Sequence, residues 1–486
     1  MQPTNLLYIL SDQHNRDLLG CYGHPLVQTP NLDRLAARGT RFTNAYTPCP
    51  ICVPARASLA TGRYVHQIGY WDNAFPYDGA VPSWHHRLRE QGHQVDVIGK
   101  LHFRSGDDDN GWSREIDPLH VVGGVGDALG SVRENAAFRN KRGGIEEAGP
   151  GDSTYLQYDA RNADHAVQWL DTESAKAPQN GKPWALFLSF VCPHPPYFSP
   201  QELFDLYPPD DIPLPPQWRE SDWPTHPALD YFRLYFTFAS QFYEATIRKM
   251  NAAYYGVVTY LDQQIGRVLA ALEANGLAEN TRIVYTTDHG EHLGGRGIFG
   301  KFTLYEESVT VPLILAGPDV PAGKVCQTPV SLVDSFPSVL EAVGATPTAE
   351  DADLPGGSWW RIAQEPDRER TVFSEYHALG TEAGIYMLRN RQYKYVHYTH
   401  QQPQLFDLLA DPDECNDLSA SPQHRAVLAG LEAELRAMLD PEAVDAQAKA
   451  DQKAKVASLG GEEALRQRGS FENSPVPGEK PKFKLV

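Results

Sequence analysis

At 486 residues, with 41% hydrophobic, 22% charged and 10% aromatic side chains, the chain has the makeup of a folded protein with a sizeable core, which excludes collagen-like, low-complexity and disordered classes. Its formal charge of -19, from 43 basic against 62 acidic residues, excludes a broad surface for nucleic acid or an anionic membrane, so an anionic substrate needs a local basic pocket. Met1 to Leu10 lacks a signal peptide's basic start and long apolar stretch, no run of about eighteen apolar residues occurs, and six scattered cysteines suit reduced thiols, which together predict a cytoplasmic protein.

Asn5 to Leu10 is a short apolar run that stops at Ser11-Asp12-Gln13-His14, the pattern of a buried parallel strand opening into a loop. Open α/β sheets bind ligands at that edge, so Asp12 and Gln13 are candidate site residues. Thr29-Pro30 reads as the cap and first turn of a helix. Further strands are expected at Gln94 to Ile98, before Gly99-Lys100-Leu101-His102, and at Trp184 to Val191, before Cys192-Pro193-His194. Pro200 to about Trp223 is a Pro-rich surface excursion expected to wall a substrate pocket. A helical pattern from Asn251 to Asn275 precedes a β-branched run, Thr281 to Thr287, that ends at Asp288-His289-Gly290.

Strands alternate with helices, which predicts an α/β fold with a doubly wound, mostly parallel sheet over residues 1–370. After about Thr371 come short β-type runs, Val372 to Tyr376 and Tyr393 to Tyr398, and a charged helix from Pro422 to Leu439, which predicts a small α+β domain over 371–459. The tail, 460–486, is polar and rich in Gly and Pro, so it is expected to be either free or ordered by packing on a neighbouring subunit.

The most informative stretch is Cys52-Val53-Pro54-Ala55-Arg56, followed by Thr61-Gly62-Arg63. It resembles the sulfatase signature, within the alkaline phosphatase superfamily, and the resemblance continues in order from Asn5 to about Leu418. It implies an alkaline-phosphatase-like fold and oxidation of Cys52 to formylglycine by a separate maturation enzyme. The hydrated aldehyde then attacks the sulfur of a small anionic sulfate ester, and its second hydroxyl lets the adduct collapse and release sulfate. Arg56 is expected to hold that group in place.

The resemblance assigns Asp12, Gln13, Cys52, Asp288 and His289 to one divalent metal. Many sulfatases have Asp-Asp where this chain has Asp12-Gln13, and Asp or Asn where it has His289. The departures are shared with choline sulfatases and phosphonate monoester hydrolases, and leave calcium, manganese and magnesium open. Lys100, His102 and Lys301 match cationic positions around the sulfuryl group, and His194 matches the histidine beside the leaving oxygen, a general acid acting with Lys301. Asn73, in Trp71-Asp72-Asn73, is either a substrate contact or a turn residue. Trp71, Phe75, Tyr77 and Tyr197 are candidates to face an aryl group or a quaternary ammonium.

Lys100 and His102 favour sulfate, because the phosphonate hydrolases place neutral hydroxyl side chains there. The tail resembles those through which related cytoplasmic sulfatases oligomerise, which implies a homodimer or homotetramer. Aryl sulfate, choline sulfate and phosphonate or phosphodiester substrates remain open. No change at Cys52 or at the ligand positions points to an inactive relative that only binds.

Overall fold

The computed structural model describes residues 2–134, 136–172 and 181–485. Eight strands build the main sheet: β1 (Asn5–Asp12), β2 (Gly39–Phe42), β3 (Val95–Lys100), β4 (Arg114–Leu119), β5 (Ala185–Pro193), β6 (Thr281–Thr287), β7 (Leu313–Ala316) and β8 (Lys324–Cys326). Their order is β8-β2-β7-β6-β1-β5-β3-β4. β7 runs antiparallel to both neighbours and the other pairings are parallel.

The apolar run of β1 follows from burial on both faces. Leu6, Tyr8 and Leu10 join one core with Leu59, Phe336 and Trp359, while Leu7 and Ile9 join the opposite core with Leu32, Ala163 and Leu261. Four helices supply much of that cover: α1 (Pro30–Ala37), α2 (Cys52–Thr61), α3 (Thr154–Thr172) and α4 (Glu244–Ala274). The last starts before the expected Asn251, because Glu244, Arg248 and Lys249 interrupt the apolar period without breaking the helix. Thr29 stands at the N-cap of α1, but its hydroxyl serves Gly20 N and Asp33 instead.

Strand β3 also outruns its expected end, through Gly99 to Lys100. Gly99 has φ +94°, and a Cβ there would lie 2.2 Å from the Ser189 carbonyl oxygen, so only glycine lets β3 lie this close to β5. The β1–β5 register shifts between Leu10 and Asp12, and the β3–β4 register between Ile98 and Lys100. Both irregularities fall at carboxyl ends, where a bulge redirects a side chain.

A second sheet, all antiparallel, contains β9 (Val372–Tyr376), β10 (Ile385–Arg389), β11 (Tyr393–Tyr398) and β12 (Gln404–Asp407). Helix α5 (Arg425–Met438) covers it through Leu431 and Leu435, preceded by a 3-10 turn from Pro422. Two more helices follow, α6 (Pro441–Ser458) and α7 (Gly461–Arg468). Asp440 caps α6 by accepting from Glu442 N and Ala443 N.

The tail is not free, for it packs on its own chain. Leu465 buries against Ala74, Ala128 and Leu129, and Ser470 bridges to Lys484. No described helix is long and apolar enough to cross a membrane.

Asp159 of α3 pins the end of β5 by accepting from Val191 N (2.9 Å) and Cys192 N (2.7 Å). Burial pushes its carboxyl up to about 7 from an ordinary 3.8, against those two N–H donors. A raised carboxyl costs stability as pH climbs through the window between unfolded and folded values, because the folded state must take up a proton that the unfolded state has lost. Between pH 5 and 7, about 1.4 kcal/mol per pH unit of stability should therefore separate the wild type from Asp159→Asn, which keeps an acceptor but no charge. Guanidinium midpoints of both proteins across that range check it, and a constant difference would contradict the assignment.

Candidate active site

The sheet brings the two predicted acidic strand ends side by side. Ser11 of β1 pairs with Thr287 of β6, so Asp12 and Asp288 emerge as neighbours, both fully buried. Helix α2 starts in front of them at Cys52, and Val53 N donates to Asn73 Oδ1 (3.2 Å). Its end explains the Thr-Gly-Arg segment. Thr61 Oγ1 donates to Ala57 O, Gly62 adopts φ +69° where a Cβ would sit 2.7 Å from Phe336 Cβ, and Arg63 pairs with Asp353.

Arg56, one turn beyond Cys52, is 3% exposed. Its Nε donates to Asp288 Oδ2 (2.9 Å), Nη2 to Asp12 Oδ2 (3.0 Å), and Nη1 to the Lys100 carbonyl and Ser189 Oγ. It thus clamps the two carboxylates that flank Cys52. Lys100 Nζ lies 2.7 Å from Asp12 Oδ2, near enough for an ion pair though not aligned as a hydrogen bond.

Asp12, Cys52, Asp288 and His289 each offer a donor atom, all within 4.8 Å of one another. His289 Nδ1 donates to the Gly290 carbonyl (3.1 Å), which fixes the tautomer and leaves Nε2 with a lone pair, 3.2 Å from Cys52 Sγ. Burial, with Lys301 and Lys100 nearby, keeps that imidazole neutral. Although buried, Asp12 is held well below the carboxylate range by Lys100, Arg56 and Lys301, whereas burial and Asp12 itself push Asp288 up to about 6. Facing carboxylates and a neutral imidazole with its lone pair free fit a hard or borderline divalent cation.

Gln13 takes φ +64° and reaches the cluster indirectly: its Oε1 accepts from Lys301 Nζ (2.6 Å), which also donates to Cys52 Sγ (3.0 Å). Burial and Asp12 push the Cys52 thiol up to about 11, against the pull of Lys301 and Lys100. An unmodified Cys52 is therefore a neutral, weak nucleophile at pH 7.

Gln13, Cys52, Asn73, Lys100, His102, His194 and Lys301 all line one cavity of about 220 Å³. His194 Nδ1 donates to the Pro195 carbonyl (2.8 Å), leaving Nε2 as the nitrogen free to exchange a proton. His102 Nε2 lies 3.1 Å from Ser474 Oγ, and Tyr155 donates to the Ser474 carbonyl (2.6 Å), so the tail forms a strap along this cavity.

Of the expected aromatic candidates only Tyr197 lines the cavity. Trp71 instead donates to Asp451, Tyr77 to the Val81 carbonyl, and Phe75 packs among core residues. Of the other lining rings, Phe236 and Phe238 carry no local motif, whereas Phe302 directly follows Lys301. The Pro-rich excursion also lies elsewhere, with Pro216 O accepting from Arg296 N and Trp223 against Gly297.

Glu291 was likewise absent from the expected set. It accepts from Gln13 Nε2, Tyr197 Oη (2.7 Å), Leu293 N (3.0 Å) and Gly300 N (2.5 Å), fixing the loop that carries Lys301. Its place just after Asp288-His289 was the available signal.

The family model "Sulfatase" matches residues 4–345. The chain belongs to the sulfatase family. A second model, "N-sulphoglucosamine sulphohydrolase, C-terminal", matches 290–440. The chain is 30% identical to the choline-sulfatase of Rhizobium meliloti (strain 1021), over 92% of this chain and 89% of that one. It is also 30% identical to arylsulfatase K of Bos taurus, over 90% and 82%. Among solved structures it resembles the phosphonate monoester hydrolase of Agrobacterium radiobacter, with a TM-score of 0.73, 25% identity and 92% and 96% coverage. Sulfatases generally use a divalent metal and formylglycine, and the four-donor cluster around Cys52 is compatible with both.

Removing the guanidinium would leave two buried carboxylates facing each other. Arg56→Ala should lower stability by about 3–5 kcal/mol. Arg56→Lys should recover only part of it, because one ammonium cannot span both acids. Thermal unfolding at pH 7 reads both, and an unchanged midpoint in Arg56→Ala would remove the clamp from the account.

Proposed function

We propose that this sulfatase hydrolyses sulfate monoesters, of aryl or small organic alcohols, with formylglycine at position 52 as nucleophile. The observation that carries this reading is the buried position of Cys52, within reach of Asp12, His289 and Lys301 at the inner end of the cavity. A divalent cation held by Asp12, Asp288 and His289, with Gln13 beside it, would supply Lewis acidity to the hydrated aldehyde.

The chain's own side chains account for the rest. Lys100 and Lys301 place positive charge where the non-bridging sulfuryl oxygens must lie, in a site with little water to screen it. His102 adds a neutral imidazole beside them, since burial and Lys100 keep it unprotonated. His194 Nε2 is the atom suited to pass a proton to the departing oxygen. Burial, with Lys301 and Lys100, holds His194 neutral in the free site, and an anionic substrate that offsets those cations restores its basicity. Asn73 already serves Val53 N through Oδ1, which leaves its Nδ2 donor for a substrate oxygen.

Phosphonate monoester or phosphodiester hydrolysis is the second reading, favoured by the likeness to the Agrobacterium radiobacter enzyme. The cation Lys100 with the imidazole of His102 beside it supports sulfate as the better substrate.

Peptide mass spectrometry across residue 52 should show formylglycine in active preparations. Cys52→Ala should lower aryl sulfate hydrolysis by at least about a thousandfold, the scale on which loss of a covalent nucleophile is felt. Undiminished turnover in that variant would end the formylglycine reading, and faster cleavage of an aryl phosphonate monoester than of the sulfate would exchange the two substrate classes.

Chelation should abolish turnover and lower the unfolding temperature, since a ligand bound only by the folded state stabilises it. Add-back of calcium, manganese or magnesium, read by melting point and rate together, identifies the ion. Full activity with no metal in the protein by elemental analysis would contradict the assignment.

A further inference from the structure

The wall of the cavity carries a cation that the sulfuryl site does not use. Residues 139–141 run beside the end of the helix Pro227–Tyr235, with Arg139 N donating to the Tyr235 carbonyl and Lys141 N to the Phe236 carbonyl. Both side chains line the same cavity as Lys301. Arg139 is committed, because Nη1 and Nη2 grip the two oxygens of Asp127 at 2.5 and 2.9 Å. Lys141 Nζ has no hydrogen-bond or ion-pair partner among the described residues.

Of the acids lining this wall, Asp127 holds Arg139 and Glu472, which Lys141 feels, is paired with Lys484 Nζ (3.0 Å), while Glu147 is exposed to solvent. Rings link the two cations: Phe302 lies 5.9 Å from Lys301 Nζ and stacks on Phe236 at 5.1 Å, whose carbonyl accepts from Lys141 N, and Phe238 lines the same cavity. The cavity thus offers, in one enclosure, an inner cationic site, an apolar ring-lined middle and an outer half-buried ammonium.

We propose that Lys141 forms a second anion subsite, reading a carboxylate or equivalent negative group on the leaving-group side of an aromatic sulfate ester. This rests on the sulfatase reading above and narrows it: the preferred substrate carries one sulfate to be cleaved and a second, retained anionic substituent, with a flat apolar body between them. A cationic leaving group such as a quaternary ammonium meets the wrong charge here. Burial together with Arg139 and Lys301 pulls the Lys141 ammonium down to about 8, and an anion beside it offsets those two neighbouring cations.

The test compares three probes on the metal-loaded, formylglycine-bearing enzyme: phenyl sulfate, 3-carboxyphenyl sulfate and 3-(trimethylammonio)phenyl sulfate. Wild type should favour the carboxylated ester in kcat/KM. In Lys141→Gln the ratio of carboxylated to unsubstituted ester should fall about tenfold or more, the range for losing a hydrogen bond to a charged group, chiefly through KM. In Lys141→Glu the preference should reverse toward the trimethylammonio ester. A ratio within about twofold of wild type in both variants overturns the subsite, twofold being well below that range.

Binding of the product 3-hydroxybenzoate against phenol, by calorimetry, reports the same subsite without turnover. If no sulfate ester is cleaved yet Lys141→Gln loses the preference for 3-hydroxybenzoate, the hydrolase reading fails and the subsite stands. If esters are cleaved and neither measure shifts, the reverse holds.

Discussion

A single buried guanidinium ties the site to the fold. Arg56 lies on α2 but bonds to the ends of four strands: Asp12 of β1, the Lys100 carbonyl of β3, Ser189 of β5 and Asp288 just beyond β6. Those strands are neighbours in the order β6-β1-β5-β3, so the clamp spans the middle of the sheet at its carboxyl edge. A charge this deep is tolerated only when its donors are satisfied, and the carboxylates need it equally. The same constraint sets the entry of α2, which places Cys52 against Asp12 and His289. Position 52 is therefore fixed by the packing of the sheet before any substrate arrives.

Charge balance follows from this clamp. Asp12 and Asp288 face Arg56, Lys100 and Lys301 in a region shielded from water, inside a molecule whose formal charge is -19. Burial and Asp12 push Asp288 up to about 6, still largely ionised at pH 7, so two carboxylates face three cations in the free cluster. A divalent cation would make it strongly cationic, which favours an incoming anion and penalises a neutral or positive one near the sulfuryl position. The acidic exterior does not oppose this, because exposed charges are screened over about 10 Å of salt solution while buried ones are not.

The parts legible in the sequence were those set by local pattern. Both faces of β1 and β6 are buried, so each reads as an unbroken apolar or β-branched run, and Asp12 and Asp288 mark where the run ends. The Cys-x-Pro-x-Arg stretch was legible for the same reason, since spacing along one short helix carries the relation of Cys52 to Arg56. What escaped was set by distant packing. Phe236, Phe238 and Lys141 become site residues only through contacts between segments far apart in the chain, and their neighbours in sequence give no period or motif. Trp71, Phe75 and Tyr77 mislead in the opposite sense, because an aromatic near a motif is as readily consumed by the core.

The strap is the clearest case. Read alone, residues 460–486 are polar, Gly- and Pro-containing and without an apolar face large enough to offset the entropy of ordering them. In the structure their order is borrowed: the preceding α6 is seated by Gln452 on Asp72 and the His377 carbonyl, α7 by Leu465, and the terminal residues by Tyr155 and the pairing of Ser470 with Lys484. A segment held by few, mostly polar contacts lies at the low end of local stability. That is a physical reason for it to wall a cavity that must admit and release a charged molecule. The rigid clamp and the loosely held strap divide the work, one fixing the reacting atoms and the other enclosing what they act on.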